Sequence, residues 1–204
     1  MKFLLTAINA KFIHSNPAIY SLRAGVGEKL QPYVELAEFT INESLESILE
    51  GIWKRQPKVI GFSCYIWNWK LIRELLIELP KILPDTEIWL GGPEVTYDGP
   101  GLLREFPQVT GIMVGEGEVT FREVLEQYVQ AADRTGTVAG KSVAERFGQI
   151  PGLCLASGYT APRELTDLTT LPFLYEDMEP LRIVSSIMRP AEDALTGAAI
   201  ACPP

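Results

Sequence analysis

The chain has 204 residues, 47% of them hydrophobic, enough for one domain of ordinary size with a real core and some chain to spare. Its net charge is −8, from 26 acidic and 18 basic residues, which argues against nucleic-acid binding by this chain alone. No run reaches the roughly 18 apolar residues of a membrane span, so no membrane association is expected.

The opening residues Met1–Leu5 form a short apolar run that Asn9 and Lys11 interrupt. They read as a first strand, Lys2–Ala7, rather than as a leader. A loop over Asn9–Pro17 leads to a helix near Ala18–Leu30, and Pro17 suits its first turn because the missing N–H costs nothing there. Val34–Thr40 is a second strand. Asn42-Glu43-Ser44 opens a helix to Arg55, with Leu45, Ile48, Leu49, Ile52 and Trp53 as its inward stripe. Val59–Cys64 is a near-continuous apolar strand, as expected for one covered on both faces. A helix follows over Asn68–Leu79, then strands Glu87–Leu90 and Gly111–Val114. A helix over Thr120–Ala132 turns Phe121, Val124, Leu125 and Tyr128 inward. This alternation predicts an α/β fold: a doubly wound, mostly parallel five-stranded sheet of the flavodoxin or Rossmann kind. Right-handed crossovers then place every strand-to-helix loop on one edge. Asp133–Gly148 reads as a surface insertion, and Ile150–Ala156 with Tyr159–Arg163 as a small hairpin about Ser157-Gly158. Leu165–Pro180 reads as an extended linker. Cys64, Cys154 and Cys202 are odd in number and far apart, which fits a reducing cytoplasm and no disulfide framework.

The chemistry concentrates in four loops, Asn9–Asn16, Ser63–Asn68, Gly91–Tyr97 and Gly115–Glu118. Two of them carry glycines directly after apolar strands, where a missing Cβ lets the backbone turn sharply and approach a ligand. The loops offer hydroxyls, backbone amides and the aromatics Tyr65, Trp67 and Trp69, but few cations. A large, flat, mostly neutral ligand fits that set better than a nucleoside triphosphate. No Walker lysine follows either glycine loop, and no Gly-x-Gly-x-x-Gly follows the first strand. Each feature also has a plain reading. Gly91-Gly92-Pro93 is a tight turn, Gly115–Glu118 a helix start, Cys64 a packing residue and His14 a loop hydrogen-bonder. Of Trp67 and Trp69, one is expected in the core and one at the rim.

Four pieces together resemble a known family: Asn9–Ser15, Gly61–Tyr65, Leu90–Thr96 and Val114–Phe121. They are similar to the N-terminal cobalamin-binding domain of cobalamin-dependent radical S-adenosylmethionine proteins. The resemblance covers residues 1–180. It implies a cobalamin-binding Rossmann-like domain over 1–148 and a hairpin and linker over 149–180, leading toward a radical S-adenosylmethionine barrel domain. It implies cobalamin across the strand edge with its nucleotide tail inserted beside the sheet. Ser15, Ser63, Tyr65, Gly91, Gly92, Pro93, Thr96, Gly115, Glu116 and Gly117 would be its neighbours. Cobalamin domains of methionine synthase and the mutases carry Asp-x-His-x-x-Gly, whose histidine binds cobalt. Here position 12 is Phe and position 17 is Pro, so His14 is not expected to ligate the metal, and no other metal ligand is expected. The iron–sulfur cluster and S-adenosylmethionine belong to the full-length family, so no catalytic residue and no turnover are expected of this chain. The competing readings are a flavodoxin-like signalling module and a nucleotide-binding module. The first needs clustered acids after the first strand and a lysine after the fifth, and has neither.

The family places Cys-x-x-x-Cys-x-x-Cys after such a linker, where three thiolates leave one iron open. This sequence has no such motif, and its residues 181–204 bear no likeness to the family. Ala194, Ala198 and Ala201 nevertheless have its spacing. If the gene is read two bases later, each new codon ends in the first two bases of an observed residue's codon. Alanine's GC becomes TGC, cysteine, wherever the preceding codon ends in T. With allowed codons, Ile187 to Ala201 becomes Tyr-Tyr-Glu-Ala-Ser-Arg-Gly-Cys-Pro-Tyr-Arg-Cys-Ser-Tyr-Cys. The expectation is therefore an out-of-frame tail over 181–204, the chain being cut off before its radical S-adenosylmethionine domain.

Overall fold

The computed structural model describes residues 1–11, 16–133 and 142–165. The strands are β1 (Phe3–Asn9), β2 (Val34–Thr40), β3 (Val59–Ser63), β4 (Glu87–Gly91), β5 (Val109–Met113), β6 (Leu153–Leu155) and β7 (Gly158–Tyr159). The helices are α1 (Pro17–Gly25), α2 (Leu45–Arg55), α3 (Trp69–Ile82), α4 (Pro93–Thr96), α5 (Gly99–Glu105), α6 (Glu118–Asp133) and α7 (Val143–Phe147). One sheet runs β2-β1-β3-β4-β5-β6-β7. Its first five strands are parallel, so the order 2-1-3-4-5 is that of a doubly wound fold with its switch point between β1 and β3.

Alternation along the strands sorts the core into two layers. On one face Leu4, Ile8, Ile60 and Phe62 meet Ile48 and Ile52 of α2 and Ile72, Leu75 and Leu79 of α3. On the other, Phe3, Leu5 and Trp89 meet Ile19 of α1 and Phe121, Val124 and Leu125 of α6. The helices begin where local chemistry supplies caps. Asn16 accepts from Ala18 N ahead of Pro17, and Ser44 from Ser47 N.

Four expectations need correction. The sheet has seven strands rather than five, because the hairpin adds β6 antiparallel to β5 and β7 to β6. Pairing Met113 with Leu153 and Ile112 with Cys154 covers an edge that would otherwise present unpaired amides. Between β4 and β5 lie α4 and α5, which the pattern concealed because Gly99-Pro100-Gly101 carries no apolar period. The expected insertion ends in a core element: a Ser142–Glu145 capping box starts α7, and Phe147 is fully buried against Trp89 and Tyr128. Trp53 is half exposed, since Ile48 and Ile52 mark the buried line of α2 and the next residue lies about 100° round. Trp69 does pack on the core and Trp67 lies at the rim, as the sequence suggested. His14, Ser15, the 166–180 linker and the 181–204 tail lie outside the described residues. Among the described residues no helix is long and apolar enough to cross a membrane.

A polar brace crosses the second layer. Trp89 Nε1 donates to the Tyr128 hydroxyl at 2.8 Å, and that hydroxyl donates to Glu87 Oε2 at 2.7 Å. Arg146 donates to both Glu87 oxygens and lies over the Tyr128 and Phe147 rings. Burial pushes the Tyr128 phenol well above its ordinary 10.0, and the Glu87 charge adds to this. Burial likewise pushes the Cys64 thiol above 9.0. Both groups hold their protons in the fold and lose them in the unfolded chain at ordinary values. Stability is therefore full below about pH 9 and falls as pH rises beyond it, by about 1.4 kcal/mol per pH unit for each group. Urea unfolding from neutral to about pH 11 measures this, and Cys64→Ala should make the fall between about pH 9 and pH 10 shallower without abolishing it, because burial also pushes the Cys154 thiol above 9.0. An unchanged slope in that range would count against a buried neutral thiol at Cys64.

Candidate functional site

The register of the parallel strands builds a trough. On the face covered by α1 and α6, Ala7, Ser63, Gly91 and Met113 lie side by side across β1, β3, β4 and β5. One step deeper the row is Leu5, Gly61, Trp89 and Gly111. The upper row carries almost no bulk until Met113, which leaves space between the sheet and α1 and α6. The result is a cavity of about 470 Å³ opening at the C-terminal rim of the strands. That falls within the usual range for small-molecule sites. It lies over the β1/β3 switch point, where doubly wound sheets hold ligands.

Nine of the ten residues singled out from the sequence line it: Ser63, Tyr65, Gly91, Gly92, Pro93, Thr96, Gly115, Glu116 and Gly117. Ser15 and His14 lie outside the described residues. The deep wall was missed: Phe3, Leu5, Ile19, Leu22, Trp89 and Met113 also line the cavity. As apolar residues on strands and helix faces they read as ordinary core. The available signal was Gly61 within an apolar strand, which acquires meaning only beside its neighbours in register.

Asparagines hold the rim. The Asn68 amide donates to Ile8 O at 3.0 Å and Ser63 O at 2.9 Å, and its oxygen accepts from Tyr65 N at 2.8 Å, tying β1 and β3 to the loop before α3. Asn16 Nδ2 donates to Ser63 Oγ at 3.3 Å. Asn16 N and Asn9 Nδ2 both donate to Glu38 Oε2. Tyr65 and Trp67 stack at 4.4 Å beside the opening, and Ile66 and Tyr97 stand largely exposed there. Ser21 Oγ donates to Glu118 Oε1. Among the described residues no cluster of His, Cys, Asp or Glu could hold a metal ion.

Three of the four rim glycines show different roles. Gly92 sits at φ +109°, and a Cβ there would strike Cys64 O and lie 3.0 Å from Cys64 N. Its role is therefore structural as well as spatial. Gly91 is ordinary strand, and its Cβ would meet only Met113, at 3.7 Å. Gly115, at φ +79°, faces open space. Gly92→Ala should thus cost at least about 2 kcal/mol of stability in urea titration, while Gly91→Ala stays within about 1 kcal/mol. Equal losses would remove the distinction.

A doubly wound parallel sheet with a rim cavity at its switch point defines a ligand-binding α/β module. The family model of the B12 binding domain matches residues 4–125. The chain belongs to that family: it is a cobalamin-binding domain like those of radical S-adenosylmethionine methyltransferases. Two relatives are a cobalamin-dependent radical SAM methyltransferase, TokK, of Streptomyces tokunonensis, and a 2-(S-pantetheinyl)-carbapenam-3-carboxylate methyltransferase of Streptantibioticus cattleyicolor. The first is 34% identical over 89 residues and the second 35% over 112. These matches take in 43% and 54% of this chain but only 13% and 16% of the relatives' lengths. Among solved structures, the cobalamin-dependent S-adenosylmethionine radical enzyme OxsB, with aqua-cobalamin and S-adenosylmethionine bound, has the same fold. Its TM-score is 0.61 at 16% identity, over 90% of this chain and 25% of that one.

Proposed function

We propose that the chain holds cobalamin with the corrin on the rim and the nucleotide tail in the cavity, as the accessory domain of a radical S-adenosylmethionine methyltransferase-type protein of the cytoplasm. The observation that carries this is the cavity itself, between Gly91-Gly92-Pro93 and Gly115-Glu116-Gly117. At about 470 Å³ it takes a drug-sized piece of a ligand and leaves a broad ring outside. The group fits the residues present. The small row Ala7–Ser63–Gly91 leaves the entry clear, and the stacked rings of half-buried Tyr65 and exposed Trp67 flank the place for a flat macrocycle. Cobalamin supplies a cobalt centre able to carry an alkyl group. The chain's own part is to bind it, shield the tail and orient the ring. A nucleoside di- or triphosphate suits the site less well, because among the described residues no Lys or Arg lines the cavity and Glu116 and Glu118 do.

The tail belongs to the same reading. Residues 181–204 are proposed to be the out-of-frame image of a cluster-binding segment, so a barrel domain is the expected partner of the intact protein. Sequencing the genomic locus decides it: one continuous frame through the codons for Leu181–Ser186 removes the idea.

Binding is read by mixing the protein with hydroxocobalamin, desalting and recording the spectrum. Corrin bands should remain with the protein. Gly91→Leu, whose side chain projects into the cavity past Met113, should weaken binding roughly ten-fold or more with its circular dichroism kept. A corrin-free wild-type protein, or a Gly91→Leu variant that binds normally, overturns the reading.

A further inference from the structure

The row of small residues that keeps the trough open has a charged end. Ala7 pairs in register with Ser63 on one side and with Glu38 of β2 on the other, so the three stand in line on the face under α1. Glu38 does not line the cavity. Its carboxylate instead accepts from three groups: Asn9 Nδ2 at 2.6 Å, Asn16 N at 3.1 Å and the Tyr20 hydroxyl. Asn9 closes β1, Asn16 caps α1 and Tyr20 lies in the first turn of α1, so one side chain ties the strand end to the helix start. Burial, and after it the hydrogen bond and charge of Glu38, push the Tyr20 phenol above its ordinary 10.0, so it stays a donor.

Asn16 carries this anchorage to the cavity. Its backbone N–H is held by Glu38, while its side chain donates to Ser63 Oγ at 3.3 Å and accepts from Ala18 N at 3.1 Å. Glu38 and Ser63 flank Ala7, so Asn16 spans the row above that methyl group. Ser63, Ala18 and Ile19 all line the cavity. Granting that cobalamin binds here, we infer that Glu38 is a positioning residue for the cofactor: through Asn16 it fixes the Ser63 side chain and the first turn of α1 at the mouth. The burial of its partners gives it this leverage. Asn9 and Asn16 are more than nine-tenths buried, although Glu38 itself is exposed. Without an acceptor at that place two buried N–H donors lose their partner, and the segment that carries them must shift to find another.

Equilibrium dialysis of the purified chain against hydroxocobalamin, beside urea unfolding of each variant, tests this. Glu38→Met, close in size but without an oxygen acceptor, should bind roughly ten-fold more weakly or worse. Glu38→Gln should stay within about three-fold of the wild type, because its amide oxygen accepts from Asn9 and Asn16 and its NH2 donates to the Tyr20 oxygen. Asn16→Asp keeps the helix cap but has no donor for Ser63, and should be weakened like Glu38→Met. Joining the two should add roughly two-fold at most, since both act along one path. Glu35→Gln, on the opposite face of β2 and paired with Lys2 and Arg55, should leave affinity unchanged. A merely structural role would lower the urea midpoint of Glu38→Met and leave its affinity untouched. That result overturns the inference while cobalamin binding stands. So does normal binding by Asn16→Asp, a Glu38→Gln protein as weak as Glu38→Met, or losses that multiply in the double variant. If the wild-type chain retains no corrin, the functional reading falls and this inference falls with it.

Discussion

The rim depends on two backbones lying closer than side chains permit. Cys64 N donates to Gly91 O at 2.7 Å, and Gly92 turns at φ +109° directly against the Cys64 carbonyl. Only glycine allows both the turn and the approach. This contact joins the loop after β3 to the loop after β4 at the opening, with Asn68 completing the bracing from behind. The cavity mouth is consequently built from main chain, which moves less than exposed side chains do. Largely exposed groups such as Tyr97 and Ile66 are left to the periphery.

Leaving space beside a sheet weakens the packing of the helices that flank it, and the structure offsets this at the opposite end. Below the trough, the ring of Phe3 meets Phe121 edge-on at 4.9 Å, and Trp89 meets Phe147 in the same way at 5.1 Å. The brace through Glu87, Tyr128 and Arg146 satisfies the polar atoms of that aromatic layer. Trp89 takes part in both regions, as a wall of the cavity and as a member of the brace. Its orientation is therefore set by groups that touch no ligand. The other layer, under α2 and α3, is largely hydrocarbon.

Much of this was legible in the amino-acid sequence, and for identifiable reasons. Periodicity marks strands and long helices, so the alternating order, the inward face of α6 and the placement of the glycine loops on one edge could all be read directly. The motifs at Gly91-Gly92-Pro93 and Gly115–Glu118 pointed to the rim because they occur together after successive strands, whereas either alone reads equally well as a tight turn or a helix start. The deep wall was not legible, because Leu5 or Met113 looks the same lining a cavity as filling a core. What distinguishes them is the bulk of the residue in the adjacent strand, and that depends on register. Short elements escaped for another reason. A helix of four or seven residues, such as α4 or α5, shows too little period to recognise. Trp53 misled because the width of an apolar stripe does not reveal which of its edges the sheet covers.

The hairpin on the sheet edge has a topological consequence. β5 runs toward the cavity side, β6 reverses that direction, and β7 restores it. Arg163 then bonds to Thr120 and pairs with Glu123, both in the opening turns of α6. Two reversals leave the polypeptide travelling as it did in β5, so the backbone departs from the ligand-facing pole rather than the opposite one. A single extra strand would have sent it the other way; parity alone sets the side from which residues beyond Arg163 begin.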